Sequence, residues 1–362
     1  MKRLFLVPAI LAAACASQPS PDESKPADTA KVAYTGQPGE TPVGVIPAGS
    51  LLDTQRNKFI QLSVDYPTRG GPNPVIIFSH GFGATPRGYT ALSSYWASHG
   101  YVVIRPTHAD AGKLVNVREA AETWNAQTPE EWRNRVRDVT SIIDSLPALE
   151  QQYPELQGKM DKERIGVGGH SYGAYTALLI AGMTTSVGGT APVSYADPRV
   201  KAVIAMSPQG PSPSRGLTRE SFASIRIPVF FMTGSEDKGI GEGEDAAWRR
   251  LSYELSAPGD KWFMEIQGAN HFAFVERTFD PSLLPPTSRE TAVEQSRQTE
   301  AERRRNMIRQ NTPAGFERGR NTVNLIRSTA LAFWEAYLKN EARGREYLSR
   351  LKERTDVKAE SK

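Results

Sequence analysis

The 362-residue chain has a single cysteine, Cys15, so no disulfide can close within it and the fold must be stable without one. Histidine is scarce too. It occurs only at positions 80, 99, 108, 170 and 271, which leaves few candidates for a base matched to neutral pH. The apolar run within Met1–Ala14 is about 11 residues, or roughly 16 Å as helix, too short for a ~30 Å bilayer core. Lys and Arg (44) barely outnumber Asp and Glu (40), and the formal charge of +4 forms no basic stripe interleaved with aromatics. Nucleic acid is therefore not an expected partner. No internal repeat is present.

What the amino terminus does contain is Lys2-Arg3 followed by apolar Leu4–Val7 and Ile10–Ala14, the charged start and apolar middle of a signal peptide over residues 1–14. Leu11-Ala-Ala-Ala-Cys15 resembles a bacterial lipobox, and acylation would explain why the lone thiol stands there. Ala12-x-Ala14 equally fits ordinary signal-peptidase cleavage. The expectation is an exported protein held to a membrane by lipid on Cys15. Residues 15–42, rich in Pro, Ser, Asp, Glu and Lys, read as a disordered tether. Residues 43–340 read as one large domain and 341–362 as a charged tail.

The domain alternates strands with helices. Phe59–Tyr66 alternates as an outer strand, whereas Pro74–Phe78 and Tyr101–Ile104 are continuous apolar runs, as buried parallel strands should be. Val200–Ala205, Pro228–Met232 and Lys261–Ile266 continue the series. Helices are expected at Tyr89–Ser98, Glu130–Leu146, Ala246–Leu255 and Val323–Leu338. This pattern predicts an α/β fold, with a mostly parallel central sheet flanked by helices and loop insertions near one edge.

The chain is organised around Gly169-His-Ser-Tyr-Gly173, which lies between the apolar strand Arg164–Gly168 and the small, apolar helix Ala174–Ala181. Strand, G-x-S-x-G, helix is the setting of a nucleophile elbow, in which a strained turn lifts the Ser171 hydroxyl above the sheet. A serine hydroxyl needs a base to take its proton. His271, in Gly268-Ala-Asn-His-Phe272 after the last strand, is placed to swing over the serine. His170 lies inside the elbow and points away. His80 and His99 sit in His-Gly turns, and His108 ends a strand where it could line the pocket. The acid should fall between serine and histidine in the chain. Asp237 at the end of Pro228–Asp237 fits that place, with Glu236 as its adjacent rival. The oxyanion needs two N–H donors, expected from Tyr172 and, in Ser79-His-Gly-Phe-Gly83, from Phe82.

These residues resemble the α/β-hydrolase superfamily over about residues 43–340, within it the branch of platelet-activating-factor acetylhydrolase-like esterases, dienelactone-hydrolase-like proteins and polyester hydrolases. Asp53-Thr-Gln-Arg56, Ser79–Gly83, Ala97–Val103, Gly169–Tyr175, Asp197–Ala202 and Phe333–Leu338 carry the likeness. It implies serine esterase chemistry on a small-molecule ester, without cofactor or metal. Dienelactone hydrolases carry cysteine where this chain has Ser171. The stretch Phe272–Gly319, with Glu300–Arg305, is longer and more charged than compact polyester hydrolases need, and reads as a solvated face or a lid. Thr107–Pro129 is a second long loop, whose Trp124 would join Phe82 and Phe272 in an apolar pocket. A serine peptidase of the same fold and a silent binding lipoprotein are the rival readings.

Overall fold

The computed structural model describes residues 34–112, 129–186, 191–239, 243–275 and 313–362. Its frame is a nine-stranded sheet. In chain order the strands are β1 (Val43–Asp53), β2 (Lys58–Pro67), β3 (Asn73–Ser79), β4 (Val102–Thr107), β5 (Met160–His170), β8 (Val200–Met206), β9 (Val229–Glu236), β10 (Lys261–Asn270) and β11 (Val357–Ser361). A short separate hairpin supplies β6 (Thr184–Thr185) and β7 (Val193–Ser194). The spatial order is β1-β2-β4-β3-β5-β8-β9-β10-β11. Every pairing from β4 to β10 is parallel, and the strands beyond them at either edge are antiparallel.

The continuous apolar runs became the central strands because both of their faces are covered. One face packs under α2 (Pro129–Asp144), α3 (Leu146–Gln152) and α4 (Tyr172–Ile180), with Val75, Ile77, Val167 and Phe231 against Val136, Val139 and Leu178. The other packs under α1 (Thr90–Ser98) and α6 (Pro313–Leu338), with Ile76, Phe78, Ile204 and Met232 against Trp96, Phe333 and Trp334. Among the described residues, helices α5 (Ala246–Glu254) and α7 (Ala342–Ser349) complete the set. Every residue of α4 is buried, which accounts for a helix apolar on all sides. No helix among the described residues is long and apolar enough to cross a membrane.

Both expected domain boundaries move. Residues 34–42, expected as tether, are packed: the Tyr34 hydroxyl donates to Glu335 at 2.5 Å and Gly39 N–H to Ser98 Oγ at 2.8 Å. The body begins at Tyr34, and residues 1–33, where the leader, the rest of the tether and the acylated Cys15 were expected, lie outside the described residues. Residues 341–362 are not a charged tail. They form α7 and then β11, paired with β10 from Ile266↔Val357 to Trp262↔Ser361. The charge misled because edge strands carry charged side chains that discourage further pairing, here with Glu360 also bonded to Arg250 at 2.6 Å. Strand β1 was not foreseen either, since Pro47 and Gly49 break its alternation at the register shift between Ile46 and Gly49.

Candidate active site

Ser171 stands where β5 ends and α4 begins, with φ 54° and ψ −115°, a left-handed conformation costly for any residue with a Cβ. Two hydrogen bonds hold it there: Ser171 N–H to the Met206 carbonyl at 2.8 Å, and Tyr175 N–H to the Ser171 carbonyl at 3.1 Å. The glycines on either side are steric necessities. A Cβ on Gly169 would lie 2.2 Å from the Gly173 backbone, and one on Gly173 would lie 1.9 Å from the Ser79 carbonyl oxygen. The elbow thus packs directly onto the end of β3, which leads into the Ser79–Gly83 loop.

His271 follows β10 and directs Nδ1 at Asp237 Oδ1, 2.8 Å away. Asp237 is completely buried just beyond β9, while Glu236 beside it is exposed. Oδ2 of Asp237 accepts from the hydroxyls of Ser207 at 2.5 Å and Thr233 at 3.0 Å. Arg249, buried on α5, adds an ion pair from Nε to Oδ1 at 2.7 Å and lies 3.2 Å from His271 Nδ1. Burial alone would raise the Asp237 carboxyl. The Arg249 charge, then the His271 imidazole and the hydrogen bonds from His271 and Ser207, hold it well below the usual carboxylate range. The carboxylate is the favoured form, so His271 carries its Nδ1 proton toward it and presents Nε2 as the acceptor.

The serine's neighbour secures the histidine from behind. His170 Nε2 lies 2.9 Å from the His271 carbonyl, an acceptor, so Nε2 carries the proton. Nδ1 then accepts from the Tyr89 hydroxyl at 2.8 Å, and the Tyr89 oxygen accepts Gly81 N–H at 3.2 Å. Burial, then the neighbouring His271 imidazole, pushes the His170 imidazole well below its ordinary value, as suits a neutral spacer. The chain Gly81–Tyr89–His170–His271 joins the β3 loop to the histidine's backbone.

A bonded Ser–His–Asp set lies deeper, away from Ser171. Ser79 Oγ meets His108 Nε2 at 2.9 Å, and His108 Nδ1 meets Asp138 Oδ2 at 2.9 Å. The bonding order is that of a nucleophile, base and acid, yet Ser79 is 0 % and His108 2 % exposed, so no substrate atom reaches either. His108 therefore does not line a pocket; the set ties β3, β4 and α2 together. Ser171 and His271, by contrast, are both partly open to solvent. Phe82 packs its ring edge-on to Tyr172, centroids 6.1 Å apart, and exposed Phe272 stands edge-on to His271 at 5.4 Å. Trp124 and residues 276–312, with the charged segment Glu300–Arg305, lie outside the described residues.

Sequence reasoning missed Arg135, Asp138 and Arg249. A signal existed for Arg135. It lies three residues after Trp132 and four before Val139, on the apolar stripe of α2, where a cation implies a buried partner. Among the described residues no cluster of three or more metal-ligating side chains occurs.

Residues 76–336 match the model described as "Alpha/beta hydrolase family". Two curated proteins are similar at low identity. A platelet-activating factor acetylhydrolase from Cavia porcellus is 23% identical over 239 residues, covering 58% of this chain and 50% of that protein. The cutinase est2 of Thermobifida alba is 24% identical over 211 residues, covering 58% of this chain and 57% of that protein. The chain spans about half the length of these relatives.

Proposed function

The chain belongs to the alpha/beta hydrolase family, and within it we propose that this hydrolase cleaves carboxylic esters of short to medium acyl or aromatic type through Ser171, His271 and Asp237. The observation that carries the reading is the buried Asp237 anion bonded to His271 Nδ1 at 2.8 Å, on a histidine anchored to the residue preceding the strained Ser171. Similarity to an acetylhydrolase and a cutinase supports ester rather than other substrates.

In this mechanism Ser171 Oγ attacks the ester carbonyl carbon while His271 Nε2 takes its proton. The carbonyl oxygen becomes an oxyanion facing the N–H groups of Phe82 and Tyr172, the second at the first turn of α4, where the helix dipole is positive. Asp237 stabilises the imidazolium without taking its proton. Collapse of the intermediate expels the alkoxide, which leaves with the proton from His271. Water, activated by the same histidine, then releases the acid. Fluorophosphonate should label Ser171, and matched p-nitrophenyl ester and anilide substrates should show ester turnover dominating. Labelling at another serine would overturn the nucleophile. Faster anilide cleavage would make this a peptidase or amidase, and absence of both activities a binding protein.

The leader and Cys15 support export and lipid anchoring as part of the same proposal. Intact-mass analysis of the mature amino terminus tests it. A diacylated or triacylated Cys15 is expected, and an unmodified start would make the anchor wrong.

A further inference from the structure

The loop that would supply Phe82 N–H is held by a buried guanidinium. Arg135, 2 % exposed, donates from Nη1 to the His80 carbonyl at 2.6 Å and from Nη2 to the Gly81 carbonyl at 3.2 Å. The same fork binds Asp110 at two points, Nε to Oδ1 at 2.9 Å and Nη2 to Oδ2 at 2.6 Å. Asp110 Oδ2 accepts Gly83 N–H at 2.8 Å on the far side of Phe82. Above the guanidinium, 4.0 Å from its central carbon, lies the ring of Tyr172. One side chain thus touches the segments that carry both expected oxyanion donors.

The peptide bond converts this contact into a direction. In a trans peptide the C=O of one residue and the N–H of the next point opposite ways, and the Gly81–Phe82 bond is not cis. Drawing the Gly81 carbonyl toward Arg135 therefore turns Phe82 N–H away from it. A second donor acts on the same carbonyl. His80 Nε2 accepts His108 N–H at 3.1 Å, so Nδ1 carries the proton and gives it to Gly81 O at 2.7 Å. If the peptide flipped, an acceptor would replace the N–H in the hole and two buried donors would lose their partner, which is costly.

We propose that Arg135 is a positioning residue for the oxyanion hole, fixing the Gly81–Phe82 peptide so that Phe82 N–H meets the developing oxyanion, with Asp110 holding the guanidinium in register. The proposal rests on the esterase reading. Asp110 is suited to this task because burial, which would raise its carboxyl, is overridden by the Arg135 charge, leaving it well below the usual carboxylate range. Lysine in place of Arg135 keeps a charge and loses the planar fork.

The test uses the full chain with Arg135→Lys and Asp110→Asn, each checked by urea unfolding and titrated with fluorophosphonate so that kcat is expressed per reactive serine. For Arg135→Lys, kcat on p-nitrophenyl butyrate should fall at least about tenfold, toward the 10²–10³ that loss of a whole donor costs. KM should stay within about threefold, since the ground-state carbonyl uses the hole little. Affinity for an aryl trifluoromethyl ketone, whose adduct with serine is a tetrahedral oxyanion, should weaken by the same factor as kcat. A purely structural role would lower the titratable fraction and leave kcat per site and ketone affinity at wild-type values, and that result would overturn the proposal. If Arg135→Lys does not fold, Asp110→Asn decides by the same ratios. If the wild-type protein itself neither titrates nor binds the ketone, it is the esterase reading that fails.

Discussion

Replacing Ser171 with glycine should give an inactive protein more stable than the equally inactive alanine variant. Ser171 is held at φ 54° and ψ −115° by hydrogen bonds to Met206 and Tyr175, so the turn cannot relax when the hydroxyl is removed. Alanine keeps the Cβ and therefore the strain, of order 1–3 kcal/mol for such a conformation. Glycine removes it, at an entropic cost of about 0.5–1 kcal/mol from the freer unfolded chain. The difference favours glycine by about 1 kcal/mol. In a body of Tyr34–Lys362 that is a Tm rise of only about 1–2 °C, so equilibrium urea unfolding is the better assay. A higher midpoint for Ser171→Gly at unchanged slope is expected. A Ser171→Gly protein no more stable than Ser171→Ala would show that the elbow stores no backbone strain.

His271→Ala and Asp237→Asn should be strongly non-additive, with the double variant scarcely worse in kcat than His271→Ala alone, because one proton-transfer unit is lost once; Glu236→Gln, on the exposed neighbour, should stay within about threefold of wild type, and a large loss there would transfer the acid's role. Gly173→Ala should cost at least the upper end of roughly 1–3 kcal/mol in urea unfolding, since its Cβ would meet the Ser79 carbonyl at 1.9 Å and backbone cannot step aside; a neutral result would contradict that packing. Asp138, which burial would raise, is brought from 3.8 to about 2, chiefly by the His108 hydrogen bond and charge and by Lys58. Its folded value lies below the unfolded one, so it contributes about 2 kcal/mol at pH above 4, lost as pH falls from about 4 through 2. Asp138→Asn should lower urea stability at pH 7 and flatten its dependence across that acid range; equal pH dependence in both proteins would refute the assignment.

The elbow was legible in the sequence because its chemistry is local. Glycines at 169 and 173, an apolar run before them and a small apolar helix after them are consequences of one tight turn, and neighbours in sequence record it. The same holds for the central strands, whose burial on both faces demands unbroken apolar runs such as Val75–Phe78 and Val229–Met232. Edge elements were harder. Strands β1 and β11 owe their conformation to the ladder of a distant partner, and their own residues, broken by Pro47 or rich in charge, argue against a strand.

Which ionisable groups meet was decided only by the tertiary structure. Among the described residues His271 meets Asp237 while His108 joins Ser79 to Asp138, and sequence spacing could not tell that the latter set is sealed while Ser171 and His271 are partly open, because exposure depends on how three layers close. The position of Arg135 on an apolar stripe signalled a buried partner, but which groups Arg135 and Arg249 meet was unreadable for the same reason. Each sits on its own helix as one buried cation, and its meaning lies in carboxylates and carbonyls that the sheet brings to it, from 55 residues away at His80 and from Asp237 just beyond β9. A turn is a property of consecutive residues, whereas an ion pair at 2.7 Å is a property of folded distance, and only the fold supplies that.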